Sequence, residues 1–165
     1  MKSIHRILLL VVFTIWVGGF TFYAAVVVPI GTEILESSRS QGFITQRVTV
    51  VLNWIGAFTL ILVCSDFFLH VRNRSGRINR VLLVTIIVIG ALWLVLMAVH
   101  PLMDSLLEPE HDFVKDDQRF YQLHRLYLWA SSIQWLGCWV WLGCIVYDSK
   151  PGPDITDDRP RHHRV

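Results

Sequence analysis

The chain has 165 residues, 53% of them hydrophobic, and a formal net charge of only +2. Four apolar runs occupy more than half of it, which excludes a soluble domain of ordinary size beside them. The three cysteines, Cys64, Cys138 and Cys144, all fall inside apolar runs without Cys-x-x-Cys or Cys/His spacing, so a disulfide framework is not supported and helix packing is their expected role.

The runs cover residues 7–30, 48–70, 81–100 and 124–147. Each is about as long as an α-helix needs to be to cross roughly 30 Å of hydrocarbon. A spanning segment must satisfy its own backbone hydrogen bonds, so helices are expected. The first run follows Lys2 and Arg6 but is longer than a secretory h-region and lacks a small-x-small cleavage site, so it reads as a retained span. Thr14, Gly18, Thr21 and Ala25 recur every three or four residues along it and predict a packing face. Tyr23 falls roughly 10 Å below its outer end.

The second span offers Asn53, Ala57, Leu60 and Cys64 as a packing stripe, with Asn53 roughly 8 Å below the outer end. Asp66 lies about one turn from the opposite end. It is a candidate proton-relay or ion-coupling group; the simpler expectation pairs it with Arg72, Arg74 or Arg80 of the short following loop. That loop, rich in arginine and without a nucleic-acid-binding fold around it, is expected to face anionic headgroups. Its shortness makes spans two and three antiparallel neighbours.

Pro101 is expected to stop the third helix just after His100. An acidic loop follows, with Asp104, Glu108, Glu110, Asp112, Asp116 and Asp117. Asp116 or Asp117 is the expected N-cap of a fourth helix that begins outside the membrane and enters it through Phe120, Leu123 and Tyr127. His124, Ser131 and Cys138, with Gln134 beside them, form its predicted stripe. Tyr127, Trp129 and Trp54 are expected in an outer aromatic belt, with Trp139 and Trp141 deeper. Residues 149–165 carry Pro151, Gly152, Pro153 and Pro160 and read as a disordered tail.

Ten Lys or Arg residues lie in the N-terminus, second loop and tail, against five in and around the first and third loops. The positive-inside rule therefore predicts both termini in the cytoplasm. Tyr23, Asn53, Ser131 and Gln134 place hydrogen-bonding groups at one depth in the outer half. They predict interhelical hydrogen bonds or, in the sharper reading, a small polar ligand-binding cavity open to the outer side. His100 and His124 close adjacent outer ends, with Glu33, Asp104, His111 and Asp112 able to approach from the loops. Imidazole and carboxylate suit Zn²⁺ or Cu²⁺, and two facing histidines suit haem, although no HxxxH or HExxH spacing is present.

The runs Trp16-Val17-Gly18-Gly19-Phe20 and Val28-Pro29-Ile30, then Gln46-Arg47-Val48-Thr49 through Asn53, resemble the small four-span membrane family known as domain of unknown function 4149. Phe120-Tyr121-Gln122-Leu123-His124-Arg125 is similar to the histidine-bearing start of the last helix in such proteins. The resemblance extends over about residues 7–147. It implies a membrane-resident four-helix bundle and no particular activity, so it carries over no catalytic residue.

The sequence thus predicts an all-α, up-down-up-down, four-helix transmembrane bundle over residues 1–148, in a bacterial cytoplasmic membrane. The expected function is non-enzymatic: small-ligand binding, transport-accessory or assembly work, with the bilayer, a second copy or a larger membrane complex as partner and no nucleic acid. The alternative is a metal- or haem-binding redox protein using His100 and His124. A transporter coupled through Asp66 is a third reading, weakened because no proline interrupts a span. The sequence specifies no cofactor.

Overall fold

The computed structural model describes residues 2–35, 38–108, 113–114 and 116–148. Four long helices make up nearly all of it. The first, α1, comprises Lys2–Phe22, a wider π-helical turn at Tyr23–Val27, and Val28–Ile34. The others are α2, Ser38–His70, α3, Gly76–Asp104, and α4, Asp117–Asp148. All four are long and apolar enough to cross a bilayer, and the chain is a multi-pass integral membrane protein. A two-residue antiparallel pairing, Leu107–Glu108 (β1) with Phe113–Val114 (β2), narrows the α3–α4 connection. The expected tail, and the loop residues Glu110, His111 and Asp112, lie outside the described residues.

The helices outrun the apolar segments. The 33 residues of α2 rise about 50 Å, against roughly 30 Å of hydrocarbon, so its ends project beyond the apolar layer. Most of the added length is at the end away from the α2–α3 connection, called the outer end after the orientation the charges predict. Pro101 does not stop α3 there. It sits in the final turn, where it forgoes the bond to the Met97 carbonyl, and the helix still runs to Asp104 and closes with the Ser105 N–H donating to the Pro101 carbonyl at 3.0 Å. The fourth helix starts at Asp117, with Asp116 Oδ1 accepting the Arg119 N–H at 2.9 Å as its N-cap. Ser75 caps α3 in the same way, through the Ile78 N–H.

A proline does interrupt α1. In a regular α-helix the ring of Pro29 would press on the Ala25 carbonyl, and no N–H would be available to bond it. The chain widens one turn earlier instead, and the Val28 N–H donates to the Tyr23 carbonyl.

Contacts run α1–α2, α2–α3 and α3–α4 in chain order, with α3 and α4 the most closely apposed. Long side chains close the ring between α1 and α4: Phe13 and Trp141 have ring centroids 4.9 Å apart, and Trp135 Nε1 donates to Thr21 Oγ1 at 2.9 Å. The start of α1, the end of α4 and the α2–α3 connection share one end of the bundle. Ser65 and His5 meet there at 3.2 Å, as do Arg74 and Asp148 at 3.1 Å.

The core has two parts. At the arginine-rich end, Leu9, Phe13, Trp16, Val63, Phe67, Leu82, Ile86, Cys138, Trp141 and Ile145 form one continuous cluster. The cluster of the outer half is smaller: among the described residues it comprises Leu96, Val99, Tyr127 and Ala130. Many other large apolar side chains point outward on all four helices, the pattern of a surface solvated by lipid.

The predicted stripes are correct for α4 and rotated elsewhere. Ser131, Gln134 and Cys138 are buried. Thr14, Gly18 and Ala25 of α1 are exposed, and its buried face is Leu9, Phe13, Trp16, Val17 and Tyr23. Aromatic bulk, and not close backbone approach, fills the bundle along this stretch, so a residue such as Gly18, with nothing within 4 Å of an added β-carbon, has no neighbour to admit. On α2 the buried face passes through Thr49, Asn53, Gly56, Thr59, Val63 and Asp66. Gly56 is there for a steric reason: a β-carbon on it would lie 2.8 Å from the Trp16 indole. Gly137 similarly admits Ile89, whose Cγ1 would stand 2.9 Å from an added β-carbon.

Candidate functional site

The hydroxyls of these helices largely satisfy themselves. Thr21, Thr45, Thr49, Thr59, Ser65 and Ser131 each donate to a carbonyl three or four residues back. Their oxygens remain free to accept from neighbouring helices, and polar contacts grow from there in three places.

The most extensive is the outer junction of α2, α3 and α4. Asn53 Nδ2 donates to Tyr127 Oη at 3.3 Å, and the Asn53 carbonyl accepts from Trp93 Nε1 at 3.0 Å. One turn outward, His100 Nε2 lies 3.1 Å from Thr49 Oγ1 and 3.2 Å from the Gln46 carbonyl. The other ring nitrogen, Nδ1, is 3.0 Å from Asp104 Oδ2. The Tyr127 ring meets His100 edge-on at 6.3 Å. Side chains from three helices are thereby tied into a single cluster. Tyr127 is inside it, not in the aromatic belt; Trp54 and Trp129 are the exposed pair at that level.

A second contact joins α1 to α2. Tyr23 Oη donates to Thr45 Oγ1 at 2.8 Å and accepts from Gln41 Nε2 at 3.5 Å. The Gln41 amide packs on Gly31, where a β-carbon would collide with it. The third place is mid-bundle. Gln134 Nε2 donates to the Ile89 carbonyl at 3.3 Å, and Gln134 and Ser131 line a cavity of about 20 Å³ with Trp16, Val17, Phe20, Trp135 and Cys138. That volume holds about one water. A larger depression, about 390 Å³, lies against the outer part of α2 beside Phe43, Ile44, Gln46, Arg47 and Val48.

Tyr23, Asn53, Ser131 and Gln134 are therefore all buried, but they lie at successive levels of the bundle and not in the one layer expected: each has its own partners and they do not bond to one another. His100 and His124 are also separate. His124 stacks on Phe120 with ring centroids 6.0 Å apart and planes 9° from parallel, while His100 faces Thr49 and Asp104. Among the described residues no group of three His, Cys, Asp or Glu side chains is placed to hold a metal ion.

The opposite end carries an ionic cluster. Arg74 Nη2 donates to Asp66 Oδ2 at 2.9 Å and Arg74 Nε to Asp148 Oδ2 at 3.1 Å. His70 Nδ1 lies 3.2 Å from Asp66 Oδ1 and 3.0 Å from the Asp66 carbonyl. The Arg74 and Asp66 side chains are only 6% and 4% exposed. Asn79 Nδ2 donates to the Val71 carbonyl at 2.7 Å and holds the turn that delivers Arg74. Of the three arginines available to Asp66, the one in the tight turn makes the pair.

Asp104, His100 and Thr49 stand in the order acid, imidazole, hydroxyl, the donor–acceptor order of a nucleophilic relay. Thr49, however, donates its proton to the Thr45 carbonyl at 2.8 Å. It is also buried and lines neither depression. This places it as a packing hydroxyl of α2. Sequence reasoning missed Thr49, Gln41, Asp148 and the His5–Ser65 contact. The spacing of Thr49, Asn53, Gly56, Thr59 and Asp66 carries the signal for the first, because it traces one helical face of polar and small residues.

No protein-family model, curated protein or solved structure matches this chain.

Proposed function

We propose that the protein is a non-catalytic assembly component of a bacterial cytoplasmic membrane, with its arginine-rich end in the cytoplasm. In this reading it is a rigid four-helix unit that acts through contact with other membrane chains or a second copy. The observation that carries it is the use made of the interior polar groups. They join helix to helix, and the cavity among them has room for about one water. Small-molecule sites enclose several hundred cubic ångströms and converge polar groups on them. The resemblance drawn from the first two spans and the start of the fourth fits this reading, since it implies a bundle without a settled activity.

The test is extraction of the tagged full-length chain from its native membrane in mild detergent, followed by native mass spectrometry. The expected result is a stoichiometric complex with itself or with other membrane chains. A lone chain carrying a bound metabolite, metal or haem would overturn the proposal. Asn53→Leu with Gln134→Leu adds a second arm: assembly should survive wherever the fold survives.

A further inference from the structure

We infer that the end of the bundle bearing the α2–α3 connection binds the phosphate groups of anionic phospholipids through Arg72, Arg77 and Arg80. The connection and the first turn of α3 hold four arginines, and the fold divides them. Arg74 turns inward between Asp66 and Asp148. Arg72, Arg77 and Arg80 stand exposed, and none of them forms an ion pair with a carboxylate among the described residues. Arg80 makes only a long bond, from Nε to the Gly76 carbonyl at 3.4 Å.

Their position is electrostatically unfavourable for the protein alone. A helix N-terminus carries about half a positive charge and favours carboxylates in its first turn. The first turn of α3 has no acidic residue. Arg77 and Arg80, three apart and therefore neighbours on the helix surface, add two more positive charges there. An anion outside the protein relieves this crowding. The bilayer supplies one at that level, because the exposed apolar surface begins immediately on either side. It ends with Phe68 and Leu69 on α2 and resumes with Val81, Leu83 and Val84 on α3. From Arg77 to Val81 the helix rises about 6 Å. A phosphate held by the arginines thus has its acyl chains against the apolar flank of the same helix. A free phosphate would leave that flank unused.

The experiment reconstitutes the full chain in phosphatidylcholine vesicles and measures, with spin-labelled lipids, how strongly phosphatidylglycerol is preferred over phosphatidylcholine at the protein surface. Phosphatidylglycerol should be preferred, and high salt should weaken the preference. Each of Arg72→Gln, Arg77→Gln and Arg80→Gln should lower it by up to about five-fold, and the triple variant should abolish it. These side chains are exposed, so the variants should unfold at the wild-type temperature, and the single variants decide the matter if the triple one fails to fold. A preference unchanged in the single variants would overturn the assignment. So would inorganic phosphate that competes away the bound lipid at equal concentration, which would identify a free-anion site instead.

Discussion

The two ends of this bundle are held together by different means. The arginine-rich half has a continuous aromatic and aliphatic core, closed at its edge by Asp66, Arg74 and Asp148. The outer half has few buried apolar side chains, and its helices meet through Asn53, Tyr127, Thr49, His100 and Asp104. Lipid offers no hydrophobic drive for helix association, so packing and hydrogen bonding must supply it. One half uses mostly the first and the other mostly the second. The half with the better packing also carries a buried charge pair, where the buried Asp66 and the solvent-accessible Asp148 share one guanidinium, and removal of that partner leaves Asp66 in a low-dielectric interior.

Substitutions can break or sharpen this contrast. The largest effect is expected from Arg74→Ala, which leaves the buried Asp66 carboxylate without its guanidinium and with only the His70 ring beside it. A loss of about 3–5 kcal/mol is expected, measured by reversible unfolding in detergent. An unchanged midpoint would remove the ionic tie from the account of this end. Trp141→Ala should follow, at about 3–4 kcal/mol, because a 1% exposed indole leaves a cavity its neighbours cannot fill. Hydrogen exchange should then quicken first around Phe13 and Val63 and only later around Asn53. In the outer half the expected losses are smaller. Asn53→Leu should cost about 0.6–2 kcal/mol, and Tyr127→Phe about 0.5–1 kcal/mol. A double-mutant cycle on that pair should show coupling, and strict additivity would mean that the 3.3 Å contact contributes nothing. Ser131→Ala should change stability by less than about 0.5 kcal/mol, since the hydroxyl bonds only the Leu128 carbonyl of its own helix.

The number of helices and their order were legible in the sequence because apolar length is a strong signal in a chain solvated by lipid. Helix ends were less so. Ser38, Asp104 and Asp117 mark helices that continue into polar surroundings, where hydropathy falls but helical hydrogen bonding goes on. Facing was legible only where one residue class dominates a stripe. On α4 the polar and small residues Ser131, Gln134 and Cys138 point inward, as their spacing suggests. On α1 the same logic selects Thr14, Gly18 and Ala25, which face lipid, because Trp16 and Phe13 determine the buried side and neither periodicity nor polarity ranks them above the exposed Ile15 or Phe22. Polar positions could be read from their depth, but partner choice could not. That Asp66 takes Arg74 and not Arg72 depends on a tight turn fixed by Asn79. That Asn53 takes Tyr127 depends on the rotation of α4, which the sequence leaves open.

The widened turn in α1 has a consequence for how the chain tolerates changes in length. Residues 23–27 fit one more amino acid into the turn than an α-helix would, and each residue of an ordinary helix advances it by about 100°. Excising one of these residues would let the helix wind regularly while Gly31 still met Gln41, at the cost of renewed pressure from the Pro29 ring. Excising one between Leu9 and Trp16 has no such slack to draw on, and would turn the aromatic anchors on one side of the cut away from their seats. The bundle can therefore lose a residue at this point of its first helix while both flanking segments keep their facing.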